Sequence, residues 1–184
     1  EIGSLPLEVG DHISSPINVG RPNEVRQQHA RMYVECGDQR TPMANLAITS
    51  LMRAVRAMRQ FPELSGWRPT EIGYQRYRHG GDFIGAHRDR ASDKLLSATF
   101  TIVGSAAVRI FEPLDDYWDY SRLRQTDEFV TTSGGVMFLR ASGLGNGEQA
   151  IHQVLPPTPE GRSILNLRMR PTVLEQPSHQ KWEG

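Results

Sequence analysis

Apolar residues recur at helical spacing in one part of the chain, residues 41–60. Thr41 and Pro42 open this stretch, and Thr as N-cap followed by Pro in the first turn is typical of a helix start. The apolar positions that follow are Ala44, Ala47, Ile48, Leu51, Val55 and Met58. Because they recur at steps of three and four residues, we predict one amphipathic helix with its apolar stripe against the core.

From residue 70 onward the pattern changes to short runs rich in β-branched and aromatic residues, separated by Gly, Pro or Asp. These runs predict strands at residues 71–78, 95–103, 107–111, 128–132, 136–140, 149–154 and 163–170. Short strands at this spacing predict a mostly β fold with flanking helices. The fold is either a sandwich or a double-stranded β-helix, the cupin-like jelly roll.

The length of 184 residues favours a single domain, which we place at residues 1–170. Residues 1–40 begin with a stretch rich in Gly, Pro and polar residues, and we predict an N-terminal arm that is a candidate substrate lid. Residues 171–184 lose apolar density and are predicted to be a flexible tail. The sequence begins at Glu1 and not at Met, so we expect that residues preceding it are missing.

Composition and charge narrow the class of protein. The chain has 21 basic and 21 acidic residues, with Lys94 and Lys181 as its only lysines. A global positive excess, which usually accompanies nucleic-acid binding, is therefore absent. Cys36 is the single cysteine, so a disulfide within the chain is excluded and a cytoplasmic location is expected. No apolar run approaches the length of a membrane span.

The residues that carry chemistry begin with a His-X-Asp pair, His87 and Asp89, and a distant third candidate, His152. Side chains at i and i+2 on an extended segment point the same way, so the pair can reach one ion together. Two imidazoles and one carboxylate on one face of an ion are the ligand set of mononuclear iron(II) oxygenases. Taken alone, His152 is more often explained as a histidine packed in the core, and only the joint set of residues favours a metal ligand.

Two arginines follow the third candidate ligand. Arg162 lies ten residues beyond His152, and Arg168 lies six residues further, so the two share a face of one predicted strand. The planar fork of a guanidinium can hold a carboxylate through two hydrogen bonds. We therefore expect Arg162 to bind the distal carboxylate of 2-oxoglutarate. The alternative is that both arginines form structural salt bridges.

Together these motifs resemble the AlkB-like branch of the iron(II)/2-oxoglutarate-dependent dioxygenases. The residues that carry the resemblance are Tyr74-Gln75-Arg76-Tyr77, His87-Arg88-Asp89, His152 and the run from Arg162 to Arg168. The similarity covers roughly residues 40–170. It departs from the family pattern at Gln75 and at Ile164, where that pattern has Asn.

The resemblance implies an enzyme that uses Fe(II), 2-oxoglutarate and O2, held by His87, Asp89 and His152. It also implies that Tyr77 hydrogen-bonds 2-oxoglutarate near Gln75, and that Arg168 lies near the C1 end of the same molecule. The implied reaction is oxidation of a C–H bond, either hydroxylation or oxidative N-demethylation, with release of succinate and CO2.

Two classes of substrate are possible. One is an N-alkylated nucleobase of DNA or RNA, and the other is a small metabolite or natural-product intermediate. Tyr117, Trp118 and Tyr120 form an aromatic cluster that either overhangs the site or packs in a minor core. Arg78 and Phe83 are further candidates for the entrance. A third reading is a cupin-like metal-binding protein without catalysis, and the sequence leaves the oligomeric state undetermined.

Overall fold

The computed structural model describes residues 12–13, 17–18, 20–21, 23–35, 40–78, 80–112, 119 and 122–171. Within them, the helical elements are α1 (Pro42–Ala57) and a 3-10 helix (Pro62–Gly66). The strands are β1 (His12–Ile13), β2 (Gln27–Glu35), β3 (Glu71–Tyr77), β4 (Phe83–His87), β5 (Lys94–Phe111), β6 (Gln125–Thr132), β7 (Val136–Arg140), β8 (Ile151–Val154) and β9 (Arg162–Met169).

The strands form one antiparallel sheet in the order β1-β2-β3-β9-β5-β8-β4. Strand β2 pairs with β3 along one part and with β4 along another, so the sheet closes on itself. Strand β5 is 18 residues long, and β6 and β7 also pair with it. This barrel of antiparallel strands confirms the predicted jelly roll.

A glycine lets β5 serve both halves of the barrel. Before Gly104 the strand pairs with β9 and β7, and after it with β6 and β8. Gly104 has φ of +81°, and a Cβ there would lie 1.8 Å from the carbonyl oxygen of Gly161 and 3.1 Å from the Cα of Arg162. The bend therefore requires glycine, and it sets the start of β9 against β5.

Helix α1 begins as predicted. Thr41 has extended backbone angles, and its Oγ1 accepts a hydrogen bond of 3.1 Å from the amide of Ala44. The buried residues of the helix, Ala44, Ala47, Leu51 and Val55, join a core cluster that includes the fully buried Trp67. The indole of Trp67 donates to the carbonyl of Leu96 at 2.7 Å, which ties this layer to β5.

The predicted strands 71–78, 136–140 and 163–170 agree with the observed bounds to within one residue at each end, and the others differ more. The predicted strands 95–103 and 107–111 are one strand, because Gly104 bends β5 without ending it. The reading of residues 1–40 as an arm is wrong for β2, which pairs with two neighbours in the sheet. Strand β4 was also missed, and α1 ends at Ala57 and not near residue 60.

Across the described ranges no helix combines the length and apolar character that crossing a bilayer requires. The predicted tail at 172–184 and Cys36 lie outside the residues that the structure describes.

Replacement of Gly104 by Ala should lower the free energy of unfolding by about 3 kcal/mol or more, because the methyl group meets backbone atoms and the positive φ is strained. Chemical denaturation measures the change. Gly66→Ala is the matched control, since a Cβ at Gly66 would have nothing within 4 Å. Equal stability of the two variants would contradict this account of the β5 bend.

Candidate metal centre and its cavity

Two histidines on adjacent strands and an aspartate just beyond the end of one of them converge on one point. His87 ends β4 and lies opposite His152 of β8 in the strand pairing. Asp89 follows two residues after His87. One ligand atom from each of the three lies within 4.8 Å of the others, so the predicted triad is brought together. The side chains are 13, 9 and 4 % exposed for His87, Asp89 and His152, which places them at the wall of an interior space.

Backbone carbonyls set the orientation of both imidazoles. The Nδ1 of His87 lies 2.8 Å from the carbonyl oxygen of Gly85, and the Nδ1 of His152 lies 3.2 Å from that of Ala150. A ring nitrogen next to a carbonyl carries the proton and donates, which leaves Nε2 as the free lone pair. Each histidine therefore presents Nε2 as the atom for a metal, held by the same kind of contact.

The surroundings of His87 and Asp89 favour the protonation states in which these side chains can bind a metal. Burial, with the neighbouring His152, lowers the pKa of His87 to about 3, so this imidazole is neutral near pH 7. Burial by itself would raise the pKa of Asp89, but the charges of Arg168 and of the two histidines hold it at about 2. A neutral imidazole beside an ionised carboxylate is the protonation state that metal binding needs.

Arg168 is held by carboxylates around the triad. Its Nη2 lies 3.5 Å from Oδ1 of Asp89, its Nε lies 3.4 Å from Oδ2 of Asp93, and its Nη1 lies 3.6 Å from Oε1 of Glu71. Asp93 is buried and also accepts from Arg170 at 2.8 Å. The salt-bridge alternative thus applies to Arg168, which orients the Asp89 carboxylate.

The triad opens into a cavity of about 420 Å³ inside the barrel. Strands β2, β3, β5, β7, β8 and β9 contribute its walls, together with the end of β4. The lining residues include His87, Asp89, His152, Gln27, Arg31, Gln75, Tyr77, Thr99, Met137, Leu139, Val154, Arg162, Ile164, Asn166 and Arg168. The volume is within the range of small-molecule sites.

Arg162 is a buried cation in this cavity. It is 2 % exposed, and its Nη2 donates to Oγ1 of Thr101 at 3.2 Å. Its Nε and Nη1 are buried and have no hydrogen-bond partner among the described residues, and it forms no ion pair with them. Burial lowers the pKa of Arg162. Because a buried charge is costly without a counter-charge, the site is suited to an anion that enters from outside.

Tyr77 lies beside Arg162, with the guanidinium carbon 5.7 Å from the ring centre. Burial raises the pKa of Tyr77, so its hydroxyl stays protonated and can donate. It donates to Oε1 of Gln75 at 3.3 Å, and this oxygen also accepts from Asn166 at 2.9 Å. The ring of His29 stacks on Tyr77 at 5.3 Å. A polar network therefore fixes the tyrosine.

Three members of this network were not predicted from the sequence: His29, Thr99 and Asn166. Thr99 donates to Oδ1 of Asn166 at 2.7 Å, which orients the amide toward Gln75. Even spacing on β9 could have revealed Asn166, because Arg162, Asn166 and Arg168 are all an even number of residues apart.

Two substrate candidates lie in the part of the chain that the structure describes, Arg78 and Phe83, and neither lines the cavity. Arg78 forms an ion pair of 2.9 Å with Asp82, and that pair braces the turn between β3 and β4. Phe83 lines a separate surface hollow with Phe111 and Leu123. Neither residue is therefore brought to the triad, contrary to expectation. Tyr117, Trp118 and Tyr120 lie outside the described residues.

Comparison with known proteins gives a likeness in fold. No family model matches the chain. A prolyl-4-hydroxylase from Pseudomonas putida is 18 % identical, with a TM-score of 0.50 over 78 % of this chain and 70 % of that one. OsALKBH1 is 15 % identical, with a TM-score of 0.52 over 89 % of this chain and 87 % of that one. The chain shares their fold. This agrees with the fold that the sequence motifs implied.

Replacement of His87, Asp89 or His152 by alanine should in each case weaken the binding of Fe(II) by about a hundredfold or more. Loss of a residue that only hydrogen-bonds to a metal ligand costs up to about a hundredfold in affinity, and loss of the ligand itself should cost at least that much. Oxygen-free calorimetry measures the affinity. Glu128→Gln is the control, since this exposed carboxylate pairs with Arg109 on β5. Tight binding by any of the three alanine variants would remove that residue from the ligand set.

Replacement of the two arginines on β9 by Met should change the free energy of unfolding in opposite directions. Arg162→Met removes a buried charge without a counter-charge and should raise the free energy of unfolding by about 1–4 kcal/mol. Arg168→Met leaves the buried Asp89 without its arginine and leaves Asp93 and Glu71 with Arg170 alone, so it should lower the free energy of unfolding by a similar amount or more. Denaturation in the absence of 2-oxoglutarate and metal tests both. A loss of stability in Arg162→Met would mean that its charge is already compensated.

Proposed function

We propose that this protein is an Fe(II)- and 2-oxoglutarate-dependent dioxygenase that oxidises a C–H bond of a substrate. The observation that carries the proposal is the buried Arg162 in the same cavity as the His87, Asp89 and His152 triad. A triad by itself is compatible with a structural metal. A dicarboxylate co-substrate also requires a buried cation next to the triad that has no counter-charge of its own.

The residues that line the cavity fit both Fe(II) and 2-oxoglutarate. His87, Asp89 and His152 offer two nitrogens and one oxygen, the donor set of non-haem iron(II) sites with open positions. When bound, Fe(II) and 2-oxoglutarate activate dioxygen for oxidation of a C–H bond, and succinate and CO2 are released. Arg168 holds the Asp89 carboxylate in place and lies on the side of the cavity proposed for the C1 end of the co-substrate.

Arg162 and Tyr77 would receive the distal carboxylate. The hydrogens on Nε and Nη1 of Arg162 have no partner among the described residues, and they lie on different edges of the guanidinium, so either can donate to an oxygen of the carboxylate. The protonated Tyr77 hydroxyl is available as a further donor if it turns from Gln75. Asn166 donates to Oε1 of Gln75, the same oxygen that accepts from the Tyr77 hydroxyl.

Apolar residues complete the site. Met137, Leu139, Val154 and Ile164 line the cavity between the polar groups. Their side chains exclude water and lower the local dielectric constant, which strengthens the hold of Arg162 on a carboxylate. A dry cavity also protects the oxidising step from side reactions with solvent.

The proposal also concerns the class of substrate. Hydroxylation at an N-methyl carbon would give formaldehyde and a demethylated product, as for an N-alkylated nucleobase, whereas other C–H bonds would give a stable alcohol. The balanced total charge favours a small molecule over a nucleic acid. A non-catalytic metal-binding role gives no reason for the buried Arg162.

Succinate formation from 2-oxoglutarate by the purified protein with Fe(II) and O2 is the direct test. Arg162→Met should raise the KM for 2-oxoglutarate by about 30-fold or more and leave iron affinity unchanged, since a buried charged contact is lost. Arg109→Met, which removes a surface arginine, is the matched control.

Formaldehyde release from 1-methyladenine or 3-methylcytosine in single-stranded DNA separates the substrate classes. Activity on a metabolite extract with none on DNA would favour the small molecule. Absence of 2-oxoglutarate binding by iron-loaded protein would contradict the proposed function as a whole.

A further inference from the structure

A continuous chain of buried hydrogen bonds crosses the four neighbouring strands β5, β9, β3 and β2. Oγ1 of Thr99 donates to Oδ1 of Asn166 at 2.7 Å, and Nδ2 of Asn166 donates to Oε1 of Gln75 at 2.9 Å. The Tyr77 hydroxyl donates to the same oxygen of Gln75 at 3.3 Å. On the far side, Nε2 of Gln75 lies 3.3 Å from Nε2 of His29. All five side chains are buried, so each bond is made away from water.

Each bond in this chain fixes the orientation of the next amide. A carbonyl oxygen only accepts, so the hydroxyl of Thr99 donates to Asn166, and Asn166 then faces Gln75 through its nitrogen. Oε1 of Gln75 therefore faces its two donors, Asn166 and Tyr77, and its Nε2 faces His29. Reversal of either amide alone would place two donors or two acceptors face to face. Thr99 and Asn166 thus determine which atom of Gln75 meets the tyrosine.

The Tyr77 hydroxyl has one hydrogen, and it gives that hydrogen to Gln75. To donate to a carboxylate bound by Arg162, the hydroxyl must turn away from Gln75. A buried acceptor that loses its only donor costs the full desolvation penalty of that group. Oε1 of Gln75 avoids this cost, because Asn166 still donates to it after the tyrosine turns. The second donor therefore makes the turn of the hydroxyl inexpensive.

Resting on the proposed function, we infer that Asn166 is a positioning residue for 2-oxoglutarate and that Thr99 holds it in the required orientation. Asn166 acts through Gln75 and Tyr77. By keeping Oε1 of Gln75 paired, it lets the Tyr77 hydroxyl move its hydrogen bond to the distal carboxylate without leaving a buried oxygen unsatisfied. The effect falls on the affinity for 2-oxoglutarate, since neither Asn166 nor Thr99 belongs to the group of side chains that could hold the metal.

A double-mutant cycle on 2-oxoglutarate binding tests this role. Asn166→Leu should weaken binding to the iron-loaded protein by about tenfold or more, because the turn of Tyr77 then leaves Oε1 of Gln75 without a donor. In a Tyr77→Phe background there is no hydrogen to move, so the same replacement should change the affinity by less than about twofold. Oxygen-free calorimetry measures all four proteins of the cycle.

Replacements of Thr99 give a second test that holds even if Asn166→Leu fails to fold. Thr99→Val removes the donor that orients Asn166 and should weaken 2-oxoglutarate binding by about fivefold or more, the low end of the same penalty. Thr99→Ser keeps the hydroxyl and should bind as the wild type does. The affinity for Fe(II) should stay unchanged throughout, whereas a general loosening of the cavity would lower it. Asn45→Leu is the matched control, since Asn45 lies on the exposed face of α1.

The outcomes separate this inference from the proposed function. If 2-oxoglutarate fails to bind in an Arg162-dependent way, the proposed function is wrong. If it binds in that way but Asn166→Leu and Thr99→Val bind it as tightly as the wild type or more tightly, the inference is wrong, because the Gln75 amide then reverses freely. Equal weakening by Asn166→Leu with and without the Tyr77 hydroxyl would also overturn it, since Asn166 would then act on the co-substrate directly.

Discussion

Closure of the sheet by β2 is the constraint on which the site depends. This strand pairs with β4, which ends in His87, and with β3, which carries Gln75 and Tyr77. It thereby joins the wall that holds the triad to the wall that holds the polar network. Without that closure the two walls would border a groove open to water, and a buried arginine between them would lose its low-dielectric surroundings.

A buried guanidinium in such an interior is destabilising by itself. Arg162 is nevertheless enclosed at the start of β9, where Gly104 lets β5 approach closely. The proposed anion site would account for this loss of stability, as expected where a binding group is organised before its ligand arrives. Arg168, six residues along the same strand, is surrounded by carboxylates and is structural by comparison.

The sequence predicted the parts of the fold in which apolar patterning and burial agree. Helix α1 has both a cap and an apolar stripe, and the His-X-Asp spacing indicated the triad before any coordinates. Strand β2 was missed because its inward residues are polar: Gln27 and Arg31 line the cavity, and His29 is buried. The partners of Tyr77 depend on cross-strand register, which local spacing does not specify.

The account rests on one cavity serving both an iron ion and a dicarboxylate. An oxygen-free crystal structure of the protein with Fe(II) and 2-oxoglutarate tests this most directly. The proposed function predicts metal bound by His87, Asp89 and His152, with the distal carboxylate of 2-oxoglutarate hydrogen-bonded to the guanidinium of Arg162. Metal at another group of residues, or a carboxylate that leaves Arg162 without a counter-charge, would contradict it.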